Sequence, residues 1–282
     1  MDVSHPVSVA HRVPARDAPT PGCQTRAVSA PPIDQATLDT AVALLREAGD
    51  RTLRWFRSTD LEVVRKADGT PVTAADRDAE RFLRMRLTDL FPDDAVLGEE
   101  EPPTDGTSGR RWIIDPIDGT KAFTCGVPLY SNLLALEDEH GIAVGVINLP
   151  ALGETVWAGR GLGCWSDRGA AHVSDHATLE GAYVMSSSFG HWPDGRVAAL
   201  EGAGAVLRTW GDGYGYALVA TGRVAAMVDP IVAPYDIAPM PVILAEAGGR
   251  FTDLDGTSSI ETGSGVATNG HVHDELLTLL AG

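Results

Sequence analysis

The sequence predicts a mixed α/β fold, and three observations carry that reading. Apolar residues recur at helical spacing from 33 to about 56, through Leu38, Ala41, Val42, Leu45, Ala48, Leu53 and Phe56, which marks an amphipathic helix. The run Trp112-Ile113-Ile114 suits a buried strand, yet it leads directly into Asp115-Pro116-Ile117-Asp118-Gly119-Thr120. From 129 to 166 short apolar runs are punctuated by glycines in the manner of antiparallel strands, and near residue 175 the pattern changes, which predicts a second layer or subdomain.

In chain order, residues 1 to 32 carry Pro6, Pro14, Pro19, Pro21, Pro31 and Pro32 without sustained periodicity and are expected to form a flexible extension. The folded part is expected to span 33–282, divided into 33–174 and 175–282. After the first helix come a strand over 61–65, a turn over 66–76, and a second helix capped near Thr73 and running to Leu90, where Phe91-Pro92 ends it. Residues 95–97 read as a short strand delivering Gly98-Glu99-Glu100-Glu101. Strands are expected over 129–137, 141–148, 154–158 and 161–166, and then over 182–187, 206–210 and 224–228. Helices are expected over 194–201, 211–222 and 237–247, the last capped by Asp236 and tightened or kinked by Pro241, with a final helix from about His273.

Composition narrows the function. A chain of 282 residues, 44% apolar, can bury a sizeable core. A formal charge of −17 argues against nucleic acid or an anionic membrane as the main partner, because each needs a basic face. Cys23, Cys125 and Cys164 are odd in number and lack metal-type spacing, which fits a reducing cytoplasm. No apolar run approaches the roughly 20 residues of a membrane span.

Acids stand at the ends of predicted elements: Glu99, Asp115, Asp118 and Asp236, with Asp76 as an outer member. A carboxylate at the inner end of a buried strand is costly to desolvate unless a cation meets it. Oxygen donors without a neighbouring Cys or His point to Mg²⁺, with Mn²⁺ as a substitute, rather than zinc. In such a site Asp115 bridges two ions, Glu99 and the Ile117 carbonyl serve the first, and Asp118 and Asp236 serve the second. Paired ions about 4 Å apart suit phosphoester hydrolysis, and the backbone N–H groups of Gly119 and Thr120 would hold phosphate oxygens if they open a helix.

The motifs Gly98-Glu99-Glu100, Asp115-Pro116-Ile117-Asp118-Gly119-Thr120, and Tyr235-Asp236-Ile237-Ala238 with Glu246-Ala247-Gly248-Gly249 resemble, in order and separation, the signature set of the inositol monophosphatase family. The resemblance runs from about residue 33 to the C-terminus. It implies a layered α-β-α-β-α sandwich of the inositol monophosphatase and fructose-bisphosphatase type, forming a homodimer. It also implies a lithium-sensitive phosphatase that uses two or three Mg²⁺ ions on a small phosphomonoester. Its metal ligands map onto Glu99, Asp115, Ile117, Asp118 and Asp236. Thr120 would work with Glu99 on the nucleophilic water, and Lys66, Thr73 and Asp76 match a mobile loop that approaches a further metal.

Within the family, Lys121-Ala122-Phe123, the segment from Gly213 to Gly222, and Pro234-Tyr235-Asp236 are similar to the histidinol-phosphate phosphatases of histidine biosynthesis; inositol enzymes usually carry Trp before the last aspartate. Asn132 stands where that branch more often shows Thr. The ammonium of histidinol phosphate would pair with Asp212 and Asp229, whose plain reading is polar loop positions. Inositol 1-phosphate or another small sugar or nucleotide phosphate is the alternative substrate, and a non-catalytic metal-binding scaffold the alternative class. Asp253-Leu254-Asp255-Gly256-Thr257 resembles a dehalogenase-type nucleophile motif, but too little chain follows it, so it reads as a turn after a strand. His191, His271 and His273 read as surface or structural histidines.

Overall fold

Asp34 opens the first helix by accepting the Thr37 backbone N–H, 2.8 Å away, which satisfies one of the donors left over at a helix start. The computed structural model describes residues 30–65 and 69–281, so most of the expected extension, together with Cys23 and Lys66, lies outside the described residues. The elements run α1 (Gln35–Leu53), β1 (Val63–Arg65), β2 (Pro71–Thr73), α2 (Ala74–Leu90), β3 (Ala95–Gly98), β4 (Arg111–Asp118) and α3 (Thr120–Thr124). Then follow β5 (Ser131–Asp138), β6 (Gly141–Leu149), β7 (Glu154–Gly159), β8 (Gly163–Ser166), β9 (Gly169–Ala170), β10 (Tyr183–Met185), α4 (Arg196–Gly202) and β11 (Val206–Arg208). The chain closes with α5 (Asp212–Ala220), β12 (Ala226–Asp229), α6 (Pro234–Ile237), α7 (Met240–Glu246), β13 (Arg250–Thr252), β14 (Gly265–Thr268) and α8 (His273–Ala281).

Strands β3 to β9 form a seven-stranded sheet in sequence order, and the remaining five after the β1–β2 hairpin form a sheet of order β11-β10-β12-β14-β13. Alternation along β4 sets the layers. Trp112 and Ile114 pack against Leu38 and Leu45 of α1 and Phe82 and Leu83 of α2. Ile113, one step along, points to the opposite face and meets Tyr216 of α5 and Met240 and Ile243 of α7. Those helices also cover Met185 and Met227 of the five-stranded sheet, whose other face buries Val184 and Val228 against Leu200 of α4 and Leu276 of α8. The order is therefore helices, sheet, helices, sheet, helices: the α-β-α-β-α sandwich expected.

Several expectations need correction. The acidic motif is not a loop after a strand, because β4 runs through it to Asp118 and accommodates Pro116 at an irregularity. The turn over 66–76 contains a strand of its own, β2, which pairs antiparallel with β1. The helix expected over 237–247 is two helices, α6 and α7, since Pro239 and Pro241 lack the N–H groups that a continuous helix would bond to the Tyr235 and Ile237 carbonyls. Asp236 is accordingly not an N-cap: Ala233 is, and Asp236 lies in the first turn with its Oδ2 accepting the Ala233 N–H at 2.7 Å. The dehalogenase-like stretch is a turn, with Asp253 Oδ1 accepting from the N–H groups of Asp255 and Thr257. His273 is fully buried between the Thr252 and Thr268 hydroxyls, as a structural histidine should be, and burial pushes it down to about 4.

Candidate active site

Two carboxylates three residues apart on a regular strand would face opposite sides of the sheet. Here Asp115 pairs with Leu133 and Asp118 with Ser131, so three steps along β4 match two along β5. That extra residue is a β-bulge, and it turns both carboxylates to one side. Pro116 suits the bulge because it has no N–H to donate to the ladder. Inside the bend, Asp115 Oδ1 accepts the Ile117 N–H at 3.0 Å, and the Ile117 carbonyl accepts the Thr120 hydroxyl at 3.1 Å. Gly119 takes φ +82°, a left-handed conformation that costs a glycine little, and caps α3, so Gly119 and Thr120 do open a helix.

Helix α6, packed with Ile113 and Tyr216 through Ile237, brings Asp236. One carboxylate oxygen each from Asp115, Asp118 and Asp236 lie within 4.8 Å of one another, and among the described residues this is the only such group. Asp118 is further held by the Ser131 hydroxyl at 3.0 Å and by the Gly213 N–H at the start of α5. Burial drives the Asp115 carboxyl well above its ordinary range, and the charges of Glu99, Asp118, Asp236 and Asp76 push it further. Asp118 is raised by burial and by Asp212 and Asp236, and Asp236 is raised to about 7, chiefly by burial. Glu99 stands outside the tight group, although its charge is felt by Asp115, Asp76 and Asp236.

Thr73 and Asp76 form the capping box of α2: Asp76 Oδ2 accepts the Thr73 N–H at 2.8 Å and its hydroxyl at 2.5 Å. The other oxygen, Oδ1, is buried without a hydrogen-bond partner, and burial raises this carboxyl to about 6. Asp212 adopts φ +52°, its N–H donating to the Ser187 hydroxyl at 2.8 Å, and its carboxylate lies over Gly119, where an added Cβ would meet Oδ2 at 2.7 Å. Asp229 is no loop residue. It ends β12 in the interior, accepts from the Ser187 N–H at 2.9 Å and the Tyr216 hydroxyl at 3.1 Å, and is raised by burial to about 6.

Some contributors escape a sequence reading. Glu80, fully buried on α2, accepts from Arg84 Nε at 2.7 Å and from the N–H groups of Glu100 and Glu101 at 2.7 and 3.0 Å, fixing the turn that carries Glu99. A Cβ on Gly98 would strike Glu80 Oε1 at 2.2 Å, so glycine there admits the carboxylate. Ser131, Ser187 and Tyr216 likewise hold site acids. Glu80 and Ser131 sit on ordinary amphipathic or strand patterns and give no local signal.

The model of the inositol monophosphatase family matches this chain from residue 34 to residue 281. The chain belongs to the inositol monophosphatase family. It is 42% identical over 239 residues to a histidinol-phosphatase of Chlorobaculum parvum, covering 82% of this chain and 91% of that one. To a histidinol-phosphatase of Mycobacterium tuberculosis it is 41% identical over 249 residues, covering 85% and 96%. The crystal structure of the extragenic suppressor protein suhB from Bartonella henselae superposes with a TM-score of 0.82 at 27% identity, covering 87% and 98%. Membership of the inositol monophosphatase family makes the chain a phosphatase, in a family that depends on Mg²⁺. The residues present fit that ion: an all-oxygen group of crowded, buried carboxylates and an orphaned Asp76 oxygen are what a hard dication would satisfy.

Proposed function

We propose that this phosphatase hydrolyses L-histidinol phosphate to L-histidinol and phosphate, with Glu99, Asp115, the Ile117 carbonyl, Asp118 and Asp236 holding two or three Mg²⁺ ions, for which Mn²⁺ substitutes. Mg²⁺ in this setting supplies Lewis acidity to the phosphate and lowers the pKa of water. The Thr120 hydroxyl and the Glu99 carboxylate orient the attacking water and take its proton, with Thr73 and Asp76 supporting the same side. The N–H groups of Gly119 and Thr120, together with Lys66, receive phosphate oxygens. In this reading residues up to 174 supply most of the metal ligands, and those from 175 the alcohol side. The enzyme is proposed to work as a cytoplasmic homodimer.

The observation that carries the choice of alcohol is the Asp212 carboxylate over Gly119, beside the turn assigned to phosphate. An amino alcohol phosphate places an ammonium a few atoms from its phosphate, and a carboxylate there pairs with it. Asp229 supports Asp212 through Ser187, which bonds to both. The names of the relatives at about 40% identity favour the same substrate.

The test compares kcat/KM on histidinol phosphate, inositol 1-phosphate and adenosine 3′,5′-bisphosphate for wild type and Asp212→Asn. Wild type should prefer histidinol phosphate. The variant should lose about 10- to 100-fold on that substrate, the worth of one charged hydrogen bond, and much less on inositol 1-phosphate, whose alcohol carries no charge. A preference for either other ester, or an equal loss on all three, would overturn the substrate assignment.

A further inference from the structure

Behind the bulge, on the face of the seven-stranded sheet opposite the carboxylates, a line of polar side chains crosses an otherwise apolar layer. Asn132 on β5 lies in register with Asn148 on β6, and Asn148 with Thr155 on β7. All are buried beneath α1, among residues such as Leu134, Leu136, Val144 and Val146. Buried amides survive there only if their hydrogen bonds are made. Arg46 Nε donates to the Thr155 hydroxyl at 3.1 Å, and that hydroxyl donates to Asn148 Oδ1 at 3.1 Å. Asn148 Nδ2 donates to Asn132 Oδ1 at 3.1 Å, and Asn132 Nδ2 donates to the Pro116 carbonyl at 2.5 Å.

The line has one direction. The Pro116 carbonyl can only accept, so Asn132 turns Nδ2 to it and Oδ1 to Asn148 Nδ2, which leaves Asn148 Oδ1 to accept the hydroxyl of Thr155, itself met by Arg46. Pro116 and Ile117 together stand opposite Asn132 in the bulge, where the regular ladder is interrupted, and the Pro116 carbonyl is met by the Asn132 side chain. Helix α1 is shaped to admit the pair: a Cβ on Gly49 would lie 2.1 Å from Asn148 Nδ2 and 2.9 Å from Asn132 Oδ1. An apolar pair at these strand positions would fill the layer equally well, so packing alone does not account for the amides.

We propose that Asn132, aligned by Asn148, Thr155 and Arg46, is a positioning residue for the metal-binding turn: by fixing the Pro116 carbonyl it sets the bulge that aims Asp115 and Asp118 together. The inference rests on the reading of that turn as a Mg²⁺ site. Full-length wild type, Asn132→Leu and Gly49→Ala would be compared for Mg²⁺ affinity by calorimetry and for melting temperature with and without Mg²⁺. Asn132→Leu removes the last donor; Gly49→Ala pushes a methyl into the amide pair while favouring the helix. Each should bind Mg²⁺ about 10- to 100-fold more weakly, as loss of an outer partner of a metal ligand does, and show a smaller Mg²⁺-induced rise in melting temperature. A merely structural role would lower the melting temperature equally in both conditions and leave the affinity unchanged, and that result overturns the proposal. Should Asn132→Leu not fold, Gly49→Ala decides by the same two readouts. If wild type itself binds no Mg²⁺, the metal reading falls and this inference with it; if wild type binds and both variants bind equally well, this inference alone falls.

Discussion

Asp115→Asn is expected to lower kcat/KM by about 10³-fold or more, equivalent to roughly 4 kcal/mol of transition-state stabilisation. The amide keeps the shape of the side chain, and its oxygen still accepts the Ile117 N–H, so the bulge survives. What disappears is the charge at the centre of the group formed with Asp118 and Asp236. The same charge is a burden in the metal-free protein, because burial and then Glu99, Asp118, Asp236 and Asp76 all oppose it. Two readouts should therefore move in opposite directions: the metal-free variant melts at a higher temperature than metal-free wild type, and addition of Mg²⁺ raises it less. Activity and stability that both fall would mean that Asp115 is structural, and near-normal turnover would remove the metal assignment altogether.

Chelation should abolish turnover and Mg²⁺ restore it, and the stability of the metal-free protein should fall as pH rises from about 4 to about 8. Asp76 and Asp236 are raised from 3.8 to about 6 and about 7, and Asp229, which is not a member of the ligand group, to about 6. In each case the folded protein keeps a proton that the unfolded chain has already released. The stability from that proton is fully present below the unfolded value and is lost as pH passes the folded one. For Asp76 alone the change is on the order of 3 kcal/mol. His273, lowered from 6.5 to about 4, acts in the other direction, destabilising the fold as pH falls through that interval. Melting curves with and without Mg²⁺ separate the two, since Mg²⁺ at the site displaces the protons of the ligand carboxyls and leaves Asp229 and the histidine alone. A metal-free melting temperature that is flat or rising between pH 5 and pH 8 would contradict the raised carboxyls.

The parts of the fold that depend on local pattern were legible. The periodicity of Leu38, Ala41, Val42 and Leu45 gave α1, and the apolar run ahead of Asp115 gave β4, because burial selects residues one turn or one strand step apart. The acids that converge were also legible, since carboxylates at the ends of buried runs are rare without a reason. The bulge was not, because one extra residue opposite β5 is a property of the pairing, and Pro116, the one mark it leaves on β4, reads equally as the start of a turn. Nor was the service of Glu80 to the turn at Glu99, which joins a helix to a loop some 20 residues on. Asn132 did leave a trace: an amide stands where the following residues of β5 are Leu133, Leu134, Ala135 and Leu136, and a polar residue in such a run asks what it is bonded to.

The arrangement of the carboxylate group also bears on the order of events in folding. Asp115 and Asp118 lie on one sheet's second strand, whereas Asp236 lies on a short helix far along the chain, so the three carboxylates meet only when that long-range contact is closed. An ion needing all of them has no foothold in a partly folded chain. It arrives as a late lock and not as a nucleus, so Mg²⁺ should slow unfolding while leaving the rate of folding almost unchanged.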